Sequence, residues 1–308
     1  MVIEEVRGDV HLFSFRAVWE DQAMTILKAG QHAIDLATPR VMGIVNVTAD
    51  SFYDGGRVDV DAALAHARQM LADGAAIIDV GGESTRPGAT PVDEGDELAR
   101  VVPVVAALAR EGACVSVDTT KPGVMRAAVD AGASMVNDVR ALQAPGAIDV
   151  AARSDAAVCL MHMQGEPRTM QRAPAYGDVV TEVRAFLLRR ARACIEAGIA
   201  AARIVVDPGF GFGKSLAHNL DLLRNLGDIA ALGFPVLAGV SRKSMIGAIT
   251  GRDVDTRLAG SIAAALVAAV RGARLLRVHD VRETVDAIST WGAIEGWPGA
   301  QANPWTEQ

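Results

Sequence analysis

The chain has 308 residues, half of them apolar but only 4% aromatic, and a formal net charge of −7. That length suits one α/β barrel or two smaller domains, and the Ala- and Val-rich content fits parallel strands buried on both faces. The acidic balance excludes general attraction to nucleic acid or to an acidic membrane, so any anion site must be local.

Residues 1–40 precede the first strong strand signal and are expected to form an extension followed by a hairpin or plug beneath the main domain, HAIDL being its strand-like piece. The opening MVIEEVRGDV is acidic where a signal peptide is basic, and residues 1–23 read as a dispensable extension. Eight short apolar runs follow, each ending in a polar cluster or turn: Val41 to Val47, Ala76 to Val80, Cys114 to Val117, Met135 to Asp138, Ala157 to Met161, Ile204 to Asp207, Val236 to Val240 and Leu275 to Val278. The gaps are long enough for crossover helices, which makes the strands parallel. Helical periodicity is clearest over Ala62 to Ala72, Leu98 to Arg110, Val124 to Ala131, Val179 to Ala197, Leu216 to Leu226 and Gly260 to Arg271, with Gly74, Gly132, Gly198 and Gly272 as stops. Strand–helix alternation eight times over predicts a single (β/α)8 TIM barrel over 41–295, with an open doubly wound sheet as the alternative. The turn-rich stretch 296–308 is expected to fray. Cys114, Cys159 and Cys194 form no CxxC or Cys/His cluster, and no apolar stretch reaches a membrane span. The chain reads as a soluble cytoplasmic protein with buried, reduced thiols.

In such a barrel the loops after the strands converge on one face, and there the polar residues gather. Three acceptor-rich side chains, Asp118, Asn137 and Asp207, end strands three, four and six. Carboxylates accept paired N–H donors and an amide offers both a donor and an acceptor, so the trio suits a planar 2-amino-4-oxo heterocycle such as a pterin. The competing role for the two Asp residues is to cap the next helix or to pair with an Arg. Arg86, Lys243, Arg277 and His279 bring positive charge to the same face, which predicts an anion site. Glycine-rich loops after strands one and two carry Asp50, Phe52, Thr85 and Arg86 and are expected to close as a lid.

Generic motifs fail by count. Gly209 to Lys214 is one residue short of a P-loop and lacks the GxGxxG spacing, and GVSRK lacks the closing glycine of a nucleophile elbow. Taken in order, however, NVTADSF, GGESTRPGA, VDTTK, NDV, MHMQG, DPGFGFGK, SRKS and RVHDV, spanning Asn46 to Val281, resemble the signature blocks of the dihydropteroate synthase family. Ala49, where the family usually has Pro, and Tyr53, where it often has Ser, depart from the pattern.

That resemblance implies a transferase of folate biosynthesis that joins (7,8-dihydropterin-6-yl)methyl diphosphate to 4-aminobenzoate through a dissociative, pterin-cation-like step. It implies that Asp118, Asn137, Asp207, Lys243 and Arg277 hold the pterin, and that Asn46, Thr85, Arg277 and His279 bind the diphosphate. Asn46 would also ligate Mg²⁺. Phe52, Arg86, Pro87, Phe212, Lys243 and Ser244 would line the 4-aminobenzoate pocket; Asp50, Lys243, Arg277 and His279 would serve catalysis. A homodimer packed through the last helices is implied as well. Three other readings use the same barrel mouth: a pterin-dependent methyltransferase, which has no use for a diphosphate site, a Schiff-base aldolase acting through Lys243, and a non-catalytic pterin-binding paralogue.

Overall fold

The computed structural model describes residues 25–48, 53–54, 57–84 and 90–297. Two short strands, β1 (Ile26–Ala29) and β2 (His32–Asp35), form an antiparallel hairpin. Eight parallel strands then close a barrel: β3 (Arg40–Asn46), β6 (Ile77–Gly81), β7 (Val115–Asp118), β8 (Met135–Asp138), β9 (Ala157–Met161), β10 (Ile204–Asp207), β11 (Val236–Ala238) and β12 (Ala273–Val278), with β12 paired back onto β3. The intervening β4 (Tyr53–Asp54) and β5 (Arg57–Val58) pair only with each other. The (β/α)8 barrel expected from the eight apolar runs is therefore what forms, with β8, β9 and β10 matching at both ends and the other strands displaced by one or two residues at one end or both.

Alternation along each strand explains why these runs are apolar throughout yet deliver polar groups to one end. Val41, Ile78, Val115, Val136, Val158, Ile204 and Leu276 point outward into the layer shared with the helices. Met42, Ile77, Met135, Ala157, Val205, Leu237 and Leu275 point inward and form the lower layer of the interior. Leu27, Ala29, Ile34 and Leu36 of the hairpin pack onto that layer, so the N-terminal end of the barrel is filled with side chains. Further along the strands the same inward parity reaches Asp79, Asp118, Asn137, Met161, Asp207 and Arg277, at the opposite end.

Ten α-helices cover the barrel among the described residues. The six expected from periodicity are present as α1 (Val60–Ala72), α2 (Glu94–Arg110), α3 (Pro122–Asp130), α5 (Val179–Glu196), α6 (Leu216–Arg224) and α9 (Leu258–Val270). Their starts are chemically marked: the side chains of Asp59, Asp93 and Asp178 accept from backbone N–H groups of the first turn, and Ser215 with His218 makes a reciprocal capping pair. The segment 216–226 is not one helix: it breaks at Asn225, and α7 (Leu226–Ala230) follows. Three further helices were not among those expected: α4 (Ala147–Ala152), α8 (Ser244–Thr250) and α10 (Val281–Glu295). All three cysteines are buried and free, and among the described residues no helix is long and apolar enough to cross a membrane.

Candidate active site

The upper interior of the barrel is organised by one guanidinium. Arg277, on β12, donates from Nε to Asp79 Oδ2 at 2.6 Å and from Nη2 to Asp118 Oδ2 at 2.8 Å, across the mouth from β6 and β7. Asp79 Oδ2 also accepts from Asn137 Nδ2 at 3.0 Å, so three strands besides β12 are tied into one network. Asp118 thus does pair with an Arg, its competing role, yet both groups remain at the mouth of the barrel. Asp79 is not evident from the sequence because it interrupts the run IIDVG as a lone acid; its position two residues beyond inward-facing Ile77 is the signal that would have found it.

Two carboxylates share one guanidinium, and burial decides the rest. Desolvation pushes the Asp118 carboxyl up to about 7; Arg277 opposes this and the charge of Asp79 adds to it. Burial likewise raises Asp207 to about 6, against the backbone N–H of Gly209, which donates to its Oδ1 at 2.7 Å, and against the charges of Lys243 and Lys214. Burial works against the Arg277 cation, but Asp79 and Asp118 outweigh it and hold the guanidinium protonated.

The loop after β10 forms the next wall. Gly209, Gly211 and Gly213 all have positive φ. At Gly209 a Cβ would lie 1.9 Å from the carbonyl oxygen of His162, and at Gly213 one would lie 2.2 Å from that of Gln164, so this loop lies backbone to backbone against the loop after β9. It presents Phe212, over whose ring the Lys243 ammonium sits 4.2 Å from the centroid. Phe212 packs with Val139, Met161 and Met170, giving the mouth an apolar side opposite its carboxylates. Lys214, which ends the loop, is buried; burial lowers its pKa to about 7, with Asp207 resisting and Lys243 adding to the fall.

At the third side, Ser241 Oγ lies 3.1 Å from His279 Nδ1 and accepts the His279 backbone N–H at 3.3 Å, which fixes the ring. Arg242, next to Lys243, forms a fork with the Asp280 carboxylate, joining the loop after β11 to the loop after β12. Ser244 begins α8 directly after Lys243. Asn46 ends β3 in register with Gly81. Among the described residues no group of three His, Cys, Asp or Glu side chains is arranged to hold a metal. Asn46 therefore offers a single hard oxygen, a donor set that fits an ion whose remaining ligands are water and substrate oxygens.

The structure thus brings Asp118, Asn137, Asp207, Arg277, Phe212, Lys243, Ser244, His279 and Asn46 to one end of the barrel. Asp50, Phe52, Thr85, Arg86 and Pro87, together with Ala49, lie outside the described residues. Beyond the second barrel strand, Lys121 forms ion pairs with Glu83 and with the fully buried Glu97. A cavity of about 380 Å³ opens beside Asp118, with Thr119, Lys121, Val139, Arg140 and Met163 among its walls.

A family model described as pterin binding enzyme matches residues 42–279. The dihydropteroate synthase of Haemophilus influenzae is 51% identical over 269 residues, covering 87% of this chain and 98% of its own. A solved structure of the Xanthomonas albilineans dihydropteroate synthase with 4-aminobenzoic acid superposes with a TM-score of 0.84 at 53% identity, over 89% of this chain and all (100%) of the other. That of the Burkholderia cenocepacia dihydropteroate synthase complexed with 7,8-dihydropteroate gives 0.82 at 49% identity, over 89% and 97% of the two chains.

Proposed function

The chain belongs to the dihydropteroate synthase family of pterin-binding transferases, and from that membership we propose that it condenses (7,8-dihydropterin-6-yl)methyl diphosphate with 4-aminobenzoate, giving 7,8-dihydropteroate and diphosphate. The observation that carries the reading is the convergence of Asp118, Asn137 and Asp207 with Arg277 and Lys243 at one mouth. A pterin-dependent methyltransferase needs the first three but not the cations.

Asp118 and Asp207 accept the N–H groups of the pterin edge. Asn137 uses an amide hydrogen on Asp79, which fixes its orientation and presents Oδ1 as an acceptor. Arg277 spends Nε and Nη2 on Asp79 and Asp118; Nη1 has no acceptor among the described residues and serves the substrate. His279, braced by Ser241, and Arg277 bind the diphosphate together with Thr85. Asn46 contributes the protein oxygen to a Mg²⁺ ion, which when bound neutralises charge on the leaving group.

The C–O electron pair leaves with the diphosphate, and the pterin methylene carbon gains cationic character. The aniline nitrogen then forms the C–N bond from its lone pair and loses its proton to the departing diphosphate or to solvent. Fixed donors aimed at the leaving oxygens account for most of the acceleration. The aromatic amine is assigned to the wall formed by Phe212, with Lys243 and Ser244 beside it; Phe52, Arg86 and Pro87 are assigned to the same substrate and Asp50 to stabilising the cationic carbon.

Two helices ahead of the last one also offer a self-association face. Ile249, Val254, Leu258 and Val267, on and between α8 and α9, are exposed, and the chain is assigned as a cytoplasmic homodimer joined there. Positional isotope exchange tests the mechanism. With ¹⁸O in the bridging position and no 4-aminobenzoate, recovered substrate is expected to show label scrambled into non-bridging positions; unscrambled label at a rate competent for turnover argues for concerted displacement.

A further inference from the structure

Lys214 takes no role in the mechanism above, yet it is a cation only 3% exposed at the end of the Gly209–Gly213 loop. Its Nζ lies 2.9 Å from the Gly209 carbonyl oxygen, 3.0 Å from that of Phe212 and 3.3 Å from that of His162. The His162 ring nitrogen Nδ1 is 3.0 Å away. Below about pH 7, where Lys214 is an ammonium and can only donate, Nδ1 accepts and the ring is neutral with its proton on Nε2. Burial, with the charge of Lys214 second, pushes His162 down to about 3, which agrees with a neutral ring.

The geometry points to Lys214 as a positioning residue for the aromatic amine: its ammonium pins the loop that carries Phe212 to the loop after β9, and so sets the wall of the 4-aminobenzoate pocket. This rests on the assignment of Phe212 to that pocket. Carbonyl oxygens from both loops converge on one point, where they repel one another unless a donor sits among them. The glycines remove the side chains that would hold the loops apart, and Lys214 supplies the attraction that draws them together. Phe212 is bound through its own carbonyl, so its ring has little freedom to recede. Asn219 adds a lesser tie, its Oδ1 accepting the Gly211 N–H at 2.7 Å.

The test compares Lys214→Met, which keeps the chain length and removes every donor, with Phe212→Leu in the intact protein. Both are expected to raise KM for 4-aminobenzoate by about tenfold or more, while kcat at saturation falls less than KM rises. If Phe212→Leu raises KM and Lys214→Met lowers only kcat, in proportion to folded protein, Lys214 is merely structural and the inference is wrong. If neither variant moves KM, the pocket assignment fails and the inference fails with it. Should Lys214→Met not fold, ¹⁵N NMR of the wild-type histidines decides. His162 is expected to stay neutral to about pH 4 with an unprotonated Nδ1; a proton on Nδ1, or titration near the ordinary histidine value, overturns the inference.

Discussion

Asp118 and Asp207 are carboxylates whose hold on a proton is strengthened by burial, and this gives the site a pH signature of its own. In the unfolded chain both titrate near the ordinary aspartate value, about 3.9; in the folded state they are raised to about 7 and about 6. The folded state therefore binds more protons between these limits. The contribution is fully present below about pH 4 and is lost as pH rises through 6 to 7, up to about 1.4 kcal/mol per retained proton per pH unit. Pterin N–H donors reward the charged carboxylate, so binding near pH 6 is expected to release protons, and affinity to rise with pH before levelling off above about 7. Calorimetry in buffers of different ionisation enthalpy reads this directly; proton uptake would contradict it. Asp79→Ala leaves Asn137 without its acceptor and removes one of two partners of Arg277. It is expected to cost about 3 kcal/mol in denaturant unfolding and to weaken pterin binding, whereas unaltered stability would mean the network is idle. Asp118, Asn137 and Asp207 were legible because they end apolar runs. Asp79 and Lys214 were not, since one is enclosed in such a run and the other looks like any lysine after a glycine-rich loop.

At the scale of elements, both faces of each barrel strand are buried, so the eight runs could be read from hydrophobicity alone. Two of the helices not expected from the sequence escape it for separate reasons. In α10 the buried positions are Val281, Thr284, Ile288 and Gly292, correctly spaced but half of them polar or small. In α8 the seven-residue length and a central Gly247, which makes room for the Arg257 guanidinium, hide the signal. Asn225 breaks the segment after α6 by adopting φ −110°, ψ 28°, a tertiary choice with no mark in the period. Two glycines in the connections offer a sharper contrast. Gly198 has φ +96° with nothing within 4 Å of an added methyl, and Gly209 has φ +69° with the His162 carbonyl oxygen 1.9 Å from one. Gly198→Ala is expected to cost about 1–2 kcal/mol of conformational strain. Gly209→Ala must also force the loops after β9 and β10 away from each other, and is expected to cost more and to raise KM for both substrates. Equal effects in thermal unfolding and kinetics would show that the loop contact does not matter.

For the whole molecule, the barrel separates support from chemistry along its axis: the hairpin and inward apolar layer fill one end, and charged groups from several strands meet at the other. The hydropathy pattern revealed this division, but the ties across the mouth, such as Arg277 to Asp118, join residues far apart in the chain and depend on barrel closure. Association is expected at the outer face of α8 and α9. Ile249→Asp combined with Leu258→Asp should convert a dimer to a monomer in sedimentation, and a variant that stays dimeric would place the interface elsewhere. The most direct measurement is of diphosphate released by the purified chain from dihydropterin diphosphate with Mg²⁺, with and without 4-aminobenzoate, while dihydropteroate is followed by chromatography. The expected result is 4-aminobenzoate-dependent release matched one to one by dihydropteroate; pterin binding without dihydropteroate would contradict it.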